Sequence, residues 1–236
     1  KGIALALSHA GGGPPVLVEP GRGWSREDVL ALFRNDLPDD TLVGMDLGIS
    51  LPFEDCAAFF PGWEGSPPDA RALWTLVDAV CANDPHLEAT SFVDHPQLSR
   101  YFRRHGAREG DRFRDDGAVH GRGRFRVTEH AQAAMGGKPY SNFNLVGAAQ
   151  VGKSSLTGMR LLHRLGGALP VNPDGGGLSS NHPGMRGIFL VIEAVKQLRG
   201  ECGERQVANA TTAMVHGTGG ILSTMHSGAT LVLSRD

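Results

Sequence analysis

Two glycine-rich stretches constrain this chain most. Residues 171–191 read VNPDGGGLSSNHPGMRGIFLV, and His216 follows in VHGTGGILS. In the first, a histidine stands between a glycine-rich loop and the start of an amphipathic segment, 186–199 (RGIFLVIEAVKQLR), whose spacing predicts a helix. In the second, a histidine opens a glycine-rich turn between two apolar runs, 210–215 and 229–234, which predict antiparallel strands. Glycine lets the backbone approach a substrate closely, and paired imidazoles suit general acid–base work. The helix returns the chain antiparallel to the strand that ends at His216. Both turns then reach one end of the layer, and the two rings are expected roughly 5 to 8 Å apart, since each needs ~3 Å reach to a shared substrate atom.

Upstream, the same alternation continues. Residues 2–7 and 16–18 predict a hairpin, and Ser25 caps a predicted helix over 26–34 with Glu27 and Asp28 in its first turn. Residues 41–46 (TLVGMD) read as a buried strand ending at Asp46. Helices are predicted over 68–82, 128–135 and 154–165, with a strand at 143–146 (FNLV). Strands alternating with helices give an α/β class. Hydrophobic residues make up 40% and charged residues 20%, with net charge −2, so no whole-chain field draws nucleic acid or membrane. No apolar run reaches the roughly 18 residues of a membrane helix. Cys56, Cys81 and Cys202 are odd in number and widely spaced, which fits neither a metal site nor a disulfide framework and points to a reducing cytoplasm.

Three upstream features carry candidate chemistry. Asp46, at a strand end, suits a Mg²⁺ ligand or a turn aspartate. Residues 100–126 hold nine arginines interleaved with Tyr101, Phe102, Phe113 and Phe125; this suits phosphate contact and base stacking, or a solvated loop. GAAQVGKS satisfies the phosphate-loop pattern letter for letter, with Gly147, Gly152, Lys153 and Ser154 as its phosphate and Mg²⁺ contacts in a nucleotide-binding alternative.

Asn172, Gly175, Gly176, His182, Pro183, Gly187 and the HGTGG turn resemble the C-terminal end of thiolase-superfamily enzymes, of the sterol-carrier and lipid-transfer type. The resemblance spans about 169–236. It implies that His182 helps bind a thioester oxygen and activate a nucleophilic cysteine, and that His216 moves protons. Asn172, Gly175, Gly176, Gly217 and Gly219 would shape a pocket for an acyl-CoA substrate, with no covalently bound cofactor. The glutamate, glutamine and arginine of EAVKQLRGECGERQV read as surface residues. The cysteine-bearing half of that family has no counterpart here, so the C-terminal portion is expected to be inactive alone unless a partner chain supplies that half; the expected partners are a complementary thiolase half or further copies in a homo-oligomer.

GIALAL, LVGMDLGISLPF, HGRGRFRVTEHAQ and the 140–171 segment are together similar to an uncharacterised family of predicted nucleases with an RNase-H-like fold. That resemblance implies Mg²⁺-dependent nucleic-acid hydrolysis through Asp46 as the alternative function, with GAAQVGKSS as a family segment. The expected architecture is therefore a fusion: an incomplete RNase-H-like α/β portion over 1–168, and a truncated thiolase-like α/β portion over 169–236 that shares few contacts with it.

Overall fold

The computed structural model describes residues 6–7, 16–18, 23–36, 41–45, 48–106, 108–115, 118, 121–146, 151–166, 173, 186–222 and 225–235. Strands and helices are mixed. Two compact units form: unit 1 comprises Lys1–Asp46 with Leu165–Asp236, and unit 2 comprises Leu47–Arg164.

Unit 1 is built on a three-stranded sheet. Strand β3 (Thr41–Met45) lies parallel to β6 (Thr212–Leu222), which pairs antiparallel with β7 (Met225–Ser234). A short antiparallel pair, β1 (Ala6–Leu7) with β2 (Val16–Leu17), bears out the first hairpin. Helix α1 (Arg26–Asn35) starts as expected. The Ser25 Oγ accepts from the Asp28 N–H at 3.1 Å, and the Asp28 carboxylate accepts from the Ser25 N–H at 2.7 Å. This reciprocal capping satisfies two amides that a helix start otherwise leaves open.

Helix α6 (Arg186–Arg199) covers the sheet with the predicted bounds. Its Leu190, Ala194 and Leu198 pack on Ala213 and Val215 of β6. The spacing of four along the helix and two along the strand puts each set on one face. Gly200 ends the helix at φ 74°, and the Glu201 N–H closes back onto the Lys196 carbonyl at 2.9 Å, a turn that favours glycine.

The expected division at residue 168 needs correction. Residues 41–45 were assigned to the first portion, yet they pair with 212–216 in a sheet of the second. The physical reason is edge pairing. An apolar strand with a fully buried Val43 needs a ladder partner, and one edge of β6 supplies it. The RNase-H-like expectation drew on this same strand for its own sheet.

Unit 2 is mainly helical. Helix α2 (Ala70–Val80), capped by the Asp69 carboxylate on the Ala72 N–H, packs on α5 (Val151–Arg164). The short α3 (Thr90–Asp94), the two-residue strands β4 (Arg103–Arg104) and β5 (Arg108–Glu109), and α4 (Val127–Ala134) complete it. Leu73, Val77 and Cys81 line the buried face of α2, with Leu156 and Met159 of α5 in the same core. Phe60 stands at its centre, with its ring centroid 5.2 Å from that of Tyr101 and 6.0 Å from that of Phe92. The predicted strand at 143–146 is absent: Phe143 and Leu145 are buried in the core, and Asn144 makes an isolated bridge to Arg103. Core burial accounts for that apolar run, and its ladder contact is confined to Arg103, whose N–H donates to the Phe143 carbonyl at 3.0 Å and whose carbonyl accepts from the Leu145 N–H at 2.9 Å.

Candidate functional site

The HGTGG run lies on strand β6. His216 lies inside the strand, between Met45 of β3 and Thr230 of β7 in register. The expected turn at 216 is thus corrected. Glycines in HGTGG do not break the strand, because β7 pairs along it as far as Leu222, with a register shift between Gly219 and Ile221. A glycine beside such a bulge permits a local kink in an otherwise continuous strand. The pairing of β3 with β6 ends at Met45 and His216, so among the described residues Gly217 and Gly219 pair with β7 alone. His216 therefore stands at the carboxyl end of a parallel strand pair, where open α/β sheets place their ligands.

His182, Asn172, Gly175, Gly176, Gly147 and Asp46 lie outside the described residues, as do the side-chain positions that would fix the distance between the two imidazoles. No three His, Cys, Asp or Glu side chains converge as a metal site among the described residues. None of the described helices is long and apolar enough to cross a membrane.

The cysteines are tested by their surroundings. Burial pushes the Cys81 thiol up to about 12. Burial, reinforced by the nearby Glu193 carboxylate, also raises Cys202, whose Sγ lies 3.6 Å from Glu193 Oε1. A nucleophilic cysteine needs thiolate character near neutral pH, so neither suits the role.

The arginines of the α6 segment, Arg199 and Arg205, are exposed as expected, but Glu193 and Gln197 are not surface residues. Glu193 and Gln197 are buried and clasp the following turn. Gln197 Nε2 donates to Glu193 Oε1 and to the Arg205 carbonyl, both at 2.9 Å, while Gln197 Oε1 accepts from the Val207 N–H at 2.8 Å. Burial works to raise the Glu193 carboxyl, but Arg205, 3.1 Å away, and Gln197 outweigh it and hold the carboxyl below its ordinary value. The clasp fixes residues 202–207 against the helix just before β6 begins.

The phosphate-loop reading is corrected. Residues 147–150 of GAAQVGKS lie outside the described residues, but among the described residues no strand immediately precedes them, and α5 begins at Val151. The face of Gly152 turns to protein: a Cβ there would overlap the Asn142 carbonyl oxygen and Leu145. Lys153 Nζ sits 2.7 Å from His105 Nε2. Ser154 follows inside the helix. The glycine is there for close packing of α5 against residues 142–145. Gly152→Ala is therefore expected to destabilise the protein by about 1–3 kcal/mol, the usual cost of overpacking, despite alanine's better helix propensity. Urea denaturation measures this; an unchanged or higher midpoint would refute it.

The arginine-rich run is likewise absorbed by structure. Tyr101, Phe102, Phe113 and Phe125 are buried, so they do not offer faces for stacking. Arg100 pairs with Asp111, Arg104 with Asp94, Arg114 with Glu109 and Arg124 with Asp55. Alternation of aromatic and arginine reflects core and rim. What the run leaves open is a cavity shared with Lys138 and Tyr140. Those two follow the positive-φ turn at Gly136, and that glycine pair is the signal that places them.

Comparison with known proteins now bears on the segment. Residues 145–235 match the thiolase C-terminal domain-like family. The C-terminal portion is thiolase-like. The match starts upstream of residue 169 and includes α5. The chain is 38% identical over 78 residues to non-specific lipid-transfer protein-like 2 of Caenorhabditis elegans, which is 33% of this chain and 19% of that protein. It is 50% identical over 58 residues to an acetyl-CoA acetyltransferase of Methanothermobacter thermautotrophicus, covering 24% of this chain and 15% of that one. Sterol carrier protein 2 of Oryctolagus cuniculus is 37% identical over 78 residues, 33% of this chain and 14% of that protein. The chain thus spans less than a fifth of the length of these relatives. No solved structure matches it.

Proposed function

We propose that the thiolase-like portion binds an acyl-CoA thioester, with His182 and His216 as its acid–base pair and Asn172, Gly175, Gly176, Gly217 and Gly219 shaping the pocket. The observation that carries this is the position of HGTGG at the carboxyl end of the β3–β6 parallel pair, within a segment that matches the thiolase family. At such an end a histidine can donate to the thioester oxygen and take the proton of an attacking thiol. With Cys81 and Cys202 pushed up, the nucleophile comes from a complementary thiolase half. The reducing cytoplasm keeps the three cysteines as thiols. The chain alone is then a binder without turnover.

Calorimetric titration with acetyl-CoA tests this. Binding is expected, weakened about 3- to 10-fold in His216→Ala, the worth of one hydrogen bond of about 0.5–1.5 kcal/mol. A thiolysis assay with acetoacetyl-CoA is expected to show no turnover. Absence of binding, or binding by both His216→Ala and His182→Ala as tight as that of the unaltered chain, would defeat the reading. Turnover abolished by Cys202→Ser would defeat the statement about the nucleophile.

A further inference from the structure

We infer that the cavity of unit 2 is a binding site for a small phosphate monoester carrying a flat ring. The cavity, about 260 Å³, is lined by Arg103, Arg122, Lys138, Phe113, Tyr140 and Asn144. Three cations meet there, and no carboxylate lines it among the described residues. Elsewhere in this unit several arginines are paired with acids, as at Arg100–Asp111 and Arg104–Asp94. Arg122 and Lys138 have no ion pair among the described residues. Arg103 has only Glu109 at 3.8 Å, and that carboxylate is already taken by Arg114. A concave surface with uncompensated positive charge selects an anion. Two guanidiniums and an ammonium suit the three terminal oxygens of a phosphate monoester, because the guanidinium fork matches that geometry.

The remaining lining argues for more than inorganic phosphate. Tyr140 is 54% exposed, a large ring held against water beside the cations. Asn144 is 6% exposed. Its Nδ2 donates to the Val146 carbonyl at 3.1 Å, and its Oδ1 has no partner. The amide cannot simply be flipped, since Oδ1 would then face that carbonyl oxygen. That oxygen is itself enclosed, so Asn144 lines the cavity without offering it to a ligand. Cations beside an open aromatic ring suit a nucleoside monophosphate, with its phosphate on the cations and its base on Tyr140. This site stands apart from the acyl-CoA reading, and neither depends on the other.

The test is calorimetric titration of the whole chain with adenosine 5′-monophosphate, inorganic phosphate and adenosine. Adenosine monophosphate is expected to bind at least tenfold more tightly than either of the others. Arg122→Ala and Lys138→Ala, both at exposed positions without partners among the described residues, are expected to weaken it about tenfold each with unchanged thermal midpoints. Tyr140→Ala is expected to weaken the nucleotide but not phosphate. Binding should fall as salt rises. Absence of nucleotide binding at millimolar concentration overturns the inference. So does binding indifferent to both cation variants, and so does phosphate bound as tightly as the nucleotide.

Discussion

Asp78→Ala is expected to lower the unfolding free energy by about 3–5 kcal/mol at neutral pH, the cost of removing one partner from a buried ion pair. Asp78 Oδ1 accepts from Arg160 Nε and from Arg164 Nε, both at 2.9 Å. The Arg160 side chain is fully buried between α2 and α5, and it also donates to the Glu88 carbonyl. Without Asp78 its charge would remain inside with carbonyls alone. Burial raises the Asp78 carboxyl, but the two guanidiniums outweigh that and hold it below its ordinary value of 3.8. A depressed carboxylate stabilises the fold above its unfolded pKa, and that contribution is lost as pH falls through the folded value. Wild type and Asp78→Asn should therefore differ fully near pH 7 and converge below pH 3.8. Urea denaturation across that range reads it. A loss under about 1 kcal/mol at pH 7, or a gap that persists undiminished in acid, would show that the pair does not carry the α2–α5 contact.

Arg124→Ala should cost as much, about 3–5 kcal/mol, by the same mechanism, with its effect centred on another segment. Arg124 is 2% exposed. Its Nε and Nη2 bind the two oxygens of Asp55 at 2.9 and 2.6 Å, and its guanidinium donates to the Phe59 and Ala58 carbonyls at 2.7 Å each. One side chain thus satisfies a turn that has no ladder to satisfy it. Removal orphans a carboxylate and two carbonyls in a region packed against Phe143. Hydrogen exchange should show amides of 53–60 opening well before those of α2. Arg124→Lys should rescue little, because a point charge cannot span both carboxylate oxygens and the carbonyls. Full rescue by lysine would mean that charge, and not the fork, holds the turn.

The local elements were readable where a local signal decides them. Ser25 with Asp28 sets the start of α1, and the spacing of Leu73 and Val77 sets the face of α2. The amphipathic run at 186–199 sets α6. What escaped were decisions made by distant partners. HGTGG reads as a turn because nothing nearby tells glycine to stay extended; β7 does that, by pairing through it. FNLV reads as a strand because apolar character alone does not separate a ladder from a core filler. The aromatic–arginine alternation reads as a nucleic-acid surface because spacing alone does not show that its aromatics are core or which acids neutralise it: Asp111 and Glu109 lie within the run, Asp94 just before it and Asp55 far away. Of the candidate site, the thiolase-like character was legible in its glycines and histidines. The pairing that puts His216 beside Met45 was not, since no local pattern announces a parallel partner across such a separation.

That pairing also sets an order of events. Thr41 must meet Thr212, and the whole of unit 2 lies between them in the chain. Closing so long a loop costs entropy before any ladder bond repays it. Unit 2 is contiguous and can gather its core from its own residues, shortening the gap that β3 has to bridge. On a ribosome, β3 emerges early and waits, with its edge unpaired, until β6 is made. The chain thus carries an exposed apolar strand until β6 is made, and that interval is where this protein is most open to mispairing with another copy of itself.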